Sequence, residues 1–146
     1  MVYKKNMNLL KKYLLHIAWL QAFAATVGSL FFSEIMKLPP CILCWYQRIA
    51  MYPLVLIIAV GMMRKDKNMP CYGLPLAIAG LLIAIYQNLL YYKILPESTA
   101  PCTLGISCTT KYFEWFGFIT IPFLSLLAFV VIIVCLAVSL KTNKNE

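Results

Sequence analysis

The chain has 146 residues, 62% of them hydrophobic and 12% charged, with a mean hydropathy of +0.80 and a formal net charge of +8. So high an apolar load excludes a soluble domain of this length and points to a polytopic membrane protein. The surplus of cations does not indicate a nucleic-acid partner, because the lysines cluster at the ends of apolar segments, as a topology signal does.

A spanning helix needs about 20 apolar residues, and four segments qualify: 13–32, 44–63, 74–92 and 116–140. With short connectors between them, residues 1–146 are expected to form one integral membrane domain, an all-α bundle of four transmembrane helices. Lys4, Lys5, Lys11 and Lys12 precede the first segment as in a signal peptide, but 13–32 is longer than a usual signal-peptide core and no clear small-residue cleavage site follows, so a retained helix is expected. Arg64, Lys65 and Lys67 follow the second segment, and Lys141 and Lys144 follow the fourth. The positive-inside rule then places both termini in the cytoplasm, and the connectors 33–43 and 93–115 outside.

In chain order, the first outer connector leads into the second helix near Pro40, since proline suits a first helical turn. The inner connector, 64–73, reads RKDKNMPCYG and looks like a polar turn. The third helix returns outward to the longest connector, KILPESTAPCTLGISCTTKYFEW. Pro122 near the start of the fourth helix is tolerable where neighbours can satisfy the freed carbonyl, and the chain ends in the polar tail KTNKNE.

This topology sorts the six cysteines. Cys41 and Cys44 fall at the outer face, as do Cys102 and Cys108; Cys71 falls in the inner connector and Cys135 deep in the fourth helix. Static disulfides are one reading of the outer pairs, but rings this small close little chain and stabilise little. A zinc site of four cysteines is another. The first pair sits beside a cation at a helix entrance in a compartment that favours oxidised cysteine, which favours redox exchange and no metal.

The stretch KLPPCILCWYQR, 37–48, carries the local chemistry. A helix N-terminus and a nearby arginine both stabilise thiolate, the reactive form. Cys44, Gln47 and Arg48 are spaced i, i+3, i+4 and share a face. An arginine at this depth needs a partner; Cys44 thiolate and a ligand oxygen are candidates, and snorkelling to the interface is the alternative. Electrons leaving a membrane dithiol need an acceptor. With no haem or flavin signature, a lipid-soluble quinone fits the location.

PPCILCWYQR resembles the signature of the DsbB family, a Cys-x-x-Cys followed by Tyr-Gln/Glu-Arg at the outer end of the second helix. Cys102 and Cys108 stand where that family carries its second-loop pair, and WFGFITIPFLSLL, 115–127, is similar to the opening of its fourth helix. The resemblance runs over nearly the whole chain and implies a mechanism. A thioredoxin-fold thiol oxidase outside a bacterial cytoplasmic membrane, of the DsbA or BdbD kind, would deliver electrons by thiol–disulfide exchange. Cys102 would form the mixed disulfide with it and Cys108 would link to Cys41. Cys44 would face the quinone, menaquinone or ubiquinone, with Arg48 helping to bind it. The short Cys102–Cys108 spacing looks like the compact Gram-positive type called BdbC. A histidine that some members carry near the outer end of the third helix is absent; Gln87, Asn88 and Tyr91 occupy that region, and with Gln47 they are candidates for the quinone pocket. For these residues ordinary interhelical hydrogen bonds and aromatic-belt anchoring are the plainer roles.

His16 is expected to be a hydrogen-bonded bundle histidine on the wrong side for this site. Trp45 and Tyr46 either meet the quinone or belong to the aromatic belt, and Glu34, Glu97 and Glu114 are solvated. A vitamin K epoxide reductase-like enzyme would carry its loop cysteines before the Cys-x-x-Cys, whereas here the Cys-x-x-Cys comes first. A non-catalytic scaffold pinned by disulfides would leave Arg48 dispensable.

Overall fold

A computed structural model describes residues 2–37, 39–96 and 120–144, with side chains described from residue 9 onward. Among them there is no strand. The elements are α1 (Val2–Leu30) continuing into a wide π turn (Phe31–Ile35), then α2 (Ile42–Arg64), α3 (Met69–Tyr91) and α4 (Ile121–Lys144). Four helical stretches, Leu9–Ile35, Ile42–Arg64, Met69–Tyr91 and Ile121–Lys144, are long and apolar enough to cross a membrane. Each helix packs on the next in sequence, and α4 closes back on α1.

The residues that hold this ring together are alanines set against large apolar side chains. Ala18, Ala22, Ala77, Ala84 and Ala128 are buried with Leu54, Ile58, Phe129, Ile132 and Leu136. Small side chains let helix backbones approach where lipid provides no hydrophobic drive between helices. Gly80 on α3 receives the Phe129 ring of α4 so closely that a methyl group there would overlap it. Gly61 near the end of α2 receives Met69 in the same way. The large apolar residues Leu20, Ile49, Leu56, Leu82 and Val134 point outward, as a bilayer-facing surface requires.

The helix limits differ from the sequence expectation in ways that have physical causes. The first helix runs to Ile35, so Ser33 lies in helix and not in a connector. The inner turn is confined to 65–68, and α3 begins at Met69 because Pro70 fits its first turn and Met69 is buried against Gly61. Cys71 is therefore in the first turn of a helix, exposed, and not in a loop. The expected start of the fourth helix at Phe116 lies outside the described residues, and its end extends past Leu140 to Lys144.

At the lysine-rich end, Lys11 Nζ donates to Asn143 Oδ1 and Asn143 Nδ2 donates to the Lys67 carbonyl at 2.8 Å, tying α1, α4 and the inner turn together. Tyr72 Oη donates to Asp66, which also accepts from the Asn68 N–H at 2.8 Å. His16 Nδ1–H donates to the Lys12 carbonyl of its own helix at 2.6 Å, but the ring is exposed on the outside of the bundle and not within it. At the opposite end, Asn88 Nδ2 donates to the Pro122 carbonyl at 2.9 Å and fastens α3 to the start of α4.

Candidate active site

Pro39 and Pro40 stand outside any helix, and Cys41 follows as the N-cap of α2, its own backbone extended with φ −70° and ψ 166°. Its sulfur accepts the Cys44 N–H at 3.4 Å, a capping role that serine or aspartate commonly fills. One helical turn then sets Cys41 Sγ and Cys44 Sγ 3.0 Å apart, a small side-chain rotation from the ~2.05 Å of a disulfide. Cys41 is buried and Cys44 half-buried. The Cys44 sulfur beside it, and burial, push the Cys41 thiol well above the ordinary thiol range.

A second layer comes from α3. Gln87 Nε2 donates to Cys44 Sγ at 3.3 Å and to Cys41 Sγ at 3.5 Å. Its Oε1 accepts from Gln47 Nε2 at 2.6 Å, so the two amides form a chain ending on the sulfurs. Both glutamines are buried.

Arg48 is also buried, and α1 supplies its partners. Its Nε donates to Ser29 Oγ at 2.8 Å and its Nη2 to the Ser29 carbonyl at 2.7 Å. The guanidinium lies 5.5 Å from the centre of the Trp45 ring, within cation–π range. The serine was not legible as a partner from the Cys44–Gln47–Arg48 spacing. A signal for it exists: Thr26, Ser29 and Ser33 make an i, i+3, i+7 row of hydroxyls in an apolar helix, and all three face the same cavity.

That cavity, about 370 Å³, lies between α1, the start of α2, the far end of α3 and the start of α4. Its size is in the range of small-ligand sites. Cys41, Cys44, Gln47, Arg48, Gln87 and Tyr91 border it on one side, with Phe32, Leu124 and Phe129 among the apolar residues. Six of the residues singled out in the sequence are thus brought together. Asn88 is not on the cavity; its amide bonds to the Ala84 and Pro122 carbonyls. Trp45 and Tyr46 are exposed and lie off the cavity, which fits an aromatic belt. Cys102 and Cys108 lie outside the described residues. Among the described residues no cluster of His, Cys, Asp and Glu could hold a metal ion.

Residues 11–139 match the family model described as disulfide bond formation protein DsbB. The chain is 49% identical over 142 residues to a probable disulfide formation protein C 2 of Bacillus anthracis, covering 96% of this chain and 100% of that one. It is 47% identical over 132 residues to the disulfide bond formation protein C of Bacillus subtilis, covering 90% and 95%. A probable disulfide formation protein C of Halalkalibacterium halodurans is 45% identical over 118 residues, covering 81% and 86%. No solved structure matches the chain. With a family match across most of its length and four membrane-spanning helices around a paired Cys41 and Cys44, this multi-pass membrane protein belongs to the DsbB family of disulfide bond formation proteins.

Proposed function

We propose that this protein reoxidises a thioredoxin-fold thiol oxidase outside a bacterial cytoplasmic membrane and passes the electrons to a membrane quinone. The observation that carries the proposal is the Cys41–Cys44 pair, sulfurs 3.0 Å apart, opening on an apolar cavity with a buried arginine in its wall. Residues 1–146 act as one membrane unit with both termini cytoplasmic, and the cysteine end faces outward.

The donor set fits a quinone headgroup. The cavity is mostly apolar, as a lipid-soluble ring needs; Tyr91 borders it, and Arg48 borders it as a hydrogen-bond donor to carbonyl oxygens. Ser29 meets two donor groups of Arg48 and fixes the guanidinium at the cavity wall. When bound, the quinone would accept the two electrons and two protons released as a dithiol closes to a disulfide.

The chain's own residues handle the rest. The partner's dithiol would reduce the Cys102–Cys108 disulfide through a mixed disulfide on Cys102. Cys108 thiolate would then attack Cys41 Sγ: the Cys41–Cys44 bond breaks, a Cys108–Cys41 bond forms, and the electron pair leaves on Cys44 Sγ. Cys102 closing on Cys108 would release Cys41 and leave the first pair as a dithiol. Each transfer is an exchange between an attacking thiolate and a leaving sulfur, so two pairs in series suffice.

The test supplies purified protein with a reduced thioredoxin-fold Cys-x-x-Cys protein and a short-chain quinone, and follows quinone absorbance. Turnover that is lost in Cys44→Ser supports the proposal. Absence of turnover with several donors and with both benzoquinone and naphthoquinone types refutes it.

A further inference from the structure

Among the described residues, Gln87 is the polar group outside the Cys-x-x-Cys segment that touches both sulfurs. Its exposure is 3% and that of Gln47 is 7%, so both amides depend chiefly on protein partners. A buried amide with an unmet end costs about 1–3 kcal/mol, which makes the orientation of each worth accounting for. Gln47 Nε2 donates to Gln87 Oε1, so the acceptor end of Gln87 is taken and its N–H₂ end must point at the cysteines. The amide lies 3.3 Å from Cys44 Sγ and 3.5 Å from Cys41 Sγ, nearer the sulfur that borders the cavity less deeply buried.

We infer that the Gln87 side-chain amide, oriented by Gln47, is a catalytic group that stabilises the negative charge on Cys44 Sγ when the Cys41–Cys44 disulfide is opened. This rests on reading that pair as the exchanging disulfide. In the step concerned, an attacking thiolate bonds to Cys41 Sγ, the Cys41–Cys44 bond breaks, and the electron pair and charge move to Cys44 Sγ. No proton is transferred. A neutral amide is a weak donor to a disulfide or thiol sulfur, but its hydrogen bond to a thiolate is charge-assisted and about twice as strong. The interaction therefore grows as the bond breaks, and only such differential stabilisation speeds a step. Gln47 touches neither sulfur and is a positioning residue: it turns the donor end of Gln87 inward.

Among the described residues the charged and titratable groups near Cys44 are few. Cys41 caps α2, Arg48 and Tyr52 come from α2, and Tyr86 and Tyr91 from α3; the described α1 and α4 residues facing the cavity carry no charge. Arg48 is engaged by Ser29. In the reduced protein Cys41 Sγ, 3.0 Å away, is a second donor to Cys44 Sγ; once Cys41 is tied up in the mixed disulfide, the amide is the direct side-chain donor left among the described residues.

The experiment uses the full chain, reduced, in detergent, without quinone or partner protein. A short pulse of iodoacetamide over a range of pH is followed by mass spectrometry of the Cys44 peptide. Gln87→Leu should move the midpoint of the pH profile upward and slow alkylation of Cys44 by about tenfold on the acid side of that midpoint, the effect of losing one charge-assisted hydrogen bond. Gln87→Glu has nearly the same shape but presents an acceptor, so it should slow the reaction at least as much. Gln47→Leu should give a smaller change in the same direction, and Gln87→Asn, which keeps the amide but withdraws it, should fall between parent and Gln87→Leu. Cys71, exposed at the other end, serves as an internal standard, and protection of buried Cys135 reports the fold. If Gln87→Leu exposes Cys135, Gln87→Asn and Gln47→Leu decide. A Cys44 profile that coincides with the parent's in the folded variants overturns the inference. Because no electron acceptor is present, that failure is distinct from a failure of quinone turnover.

Discussion

Ser29 gives the buried Arg48 two hydrogen bonds from a neighbouring helix, through its hydroxyl and through its carbonyl. An arginine held within a membrane bundle needs such partners, since its charge cannot reach bulk water from there. Ser29→Ala leaves Nε of the buried Arg48 without this partner and should lower stability by about 1–3 kcal/mol, measured by thermal unfolding in detergent. Arg48→Ala should weaken quinone use, seen as a raised apparent KM, while exchange between the loop pair and its protein substrate keeps the parental rate; equal quinone kinetics in parent and variant would remove Arg48 from the site. The need for a partner was legible in the sequence, but its identity was not. The i, i+3, i+4 rule put Arg48 on the face of Cys44, and the side chain, long and flexible, swings across to a helix 19 residues upstream. Gln87 shows the same limit: its level in the membrane could be read, but which end of its amide meets the sulfurs depends on Gln47 across the interface.

At the scale of elements, the α3–α4 contact turns on one glycine. Gly80→Ala places a methyl against the Phe129 ring, and overpacking of this kind costs about 1–3 kcal/mol. Thermal unfolding should register the loss, and Phe129→Leu in the Gly80→Ala background should recover part of it. A lone Gly80→Ala as stable as the parent would show that the helices slide apart at no cost. Lys65, the C-cap of α2, has φ 52°, a left-handed conformation in which side chains are strained. Its N–H and that of Asp66 close the helix on the Gly61 and Met62 carbonyls, so the conformation is required there. Lys65→Gly should therefore raise the unfolding temperature, by an amount corresponding to roughly 0.5–1 kcal/mol. The existence and order of the four helices were plain from hydropathy. Their ends were not, because polarity marks where lipid stops and not where hydrogen bonding stops: Lys141 and Lys144 are still helical, and the Met69–Pro70 start of α3 looks like a turn until Gly61 is seen to receive Met69.

At the scale of the molecule, the bundle has two unlike ends. Lys11, Arg64, Lys65, Lys67, Lys141 and Lys144 gather at one, and Cys41, Cys44 and the cavity at the other. The cationic end is proposed to face the cytoplasm. In intact cells, a membrane-impermeant maleimide should leave the exposed Cys71 unlabelled until the membrane is opened; labelling from outside would invert the topology. The central claim, that Cys41 and Cys44 pass electrons to a quinone, is tested most directly by a single turnover. Fully reduced protein is mixed anaerobically with one equivalent of short-chain quinone, quinol is read by absorbance, and disulfides are mapped by mass spectrometry. One quinone should be reduced for each Cys41–Cys44 disulfide formed. Quinone left oxidised beside a dithiol that stays reduced, or quinone reduced with the new disulfide elsewhere, would contradict it.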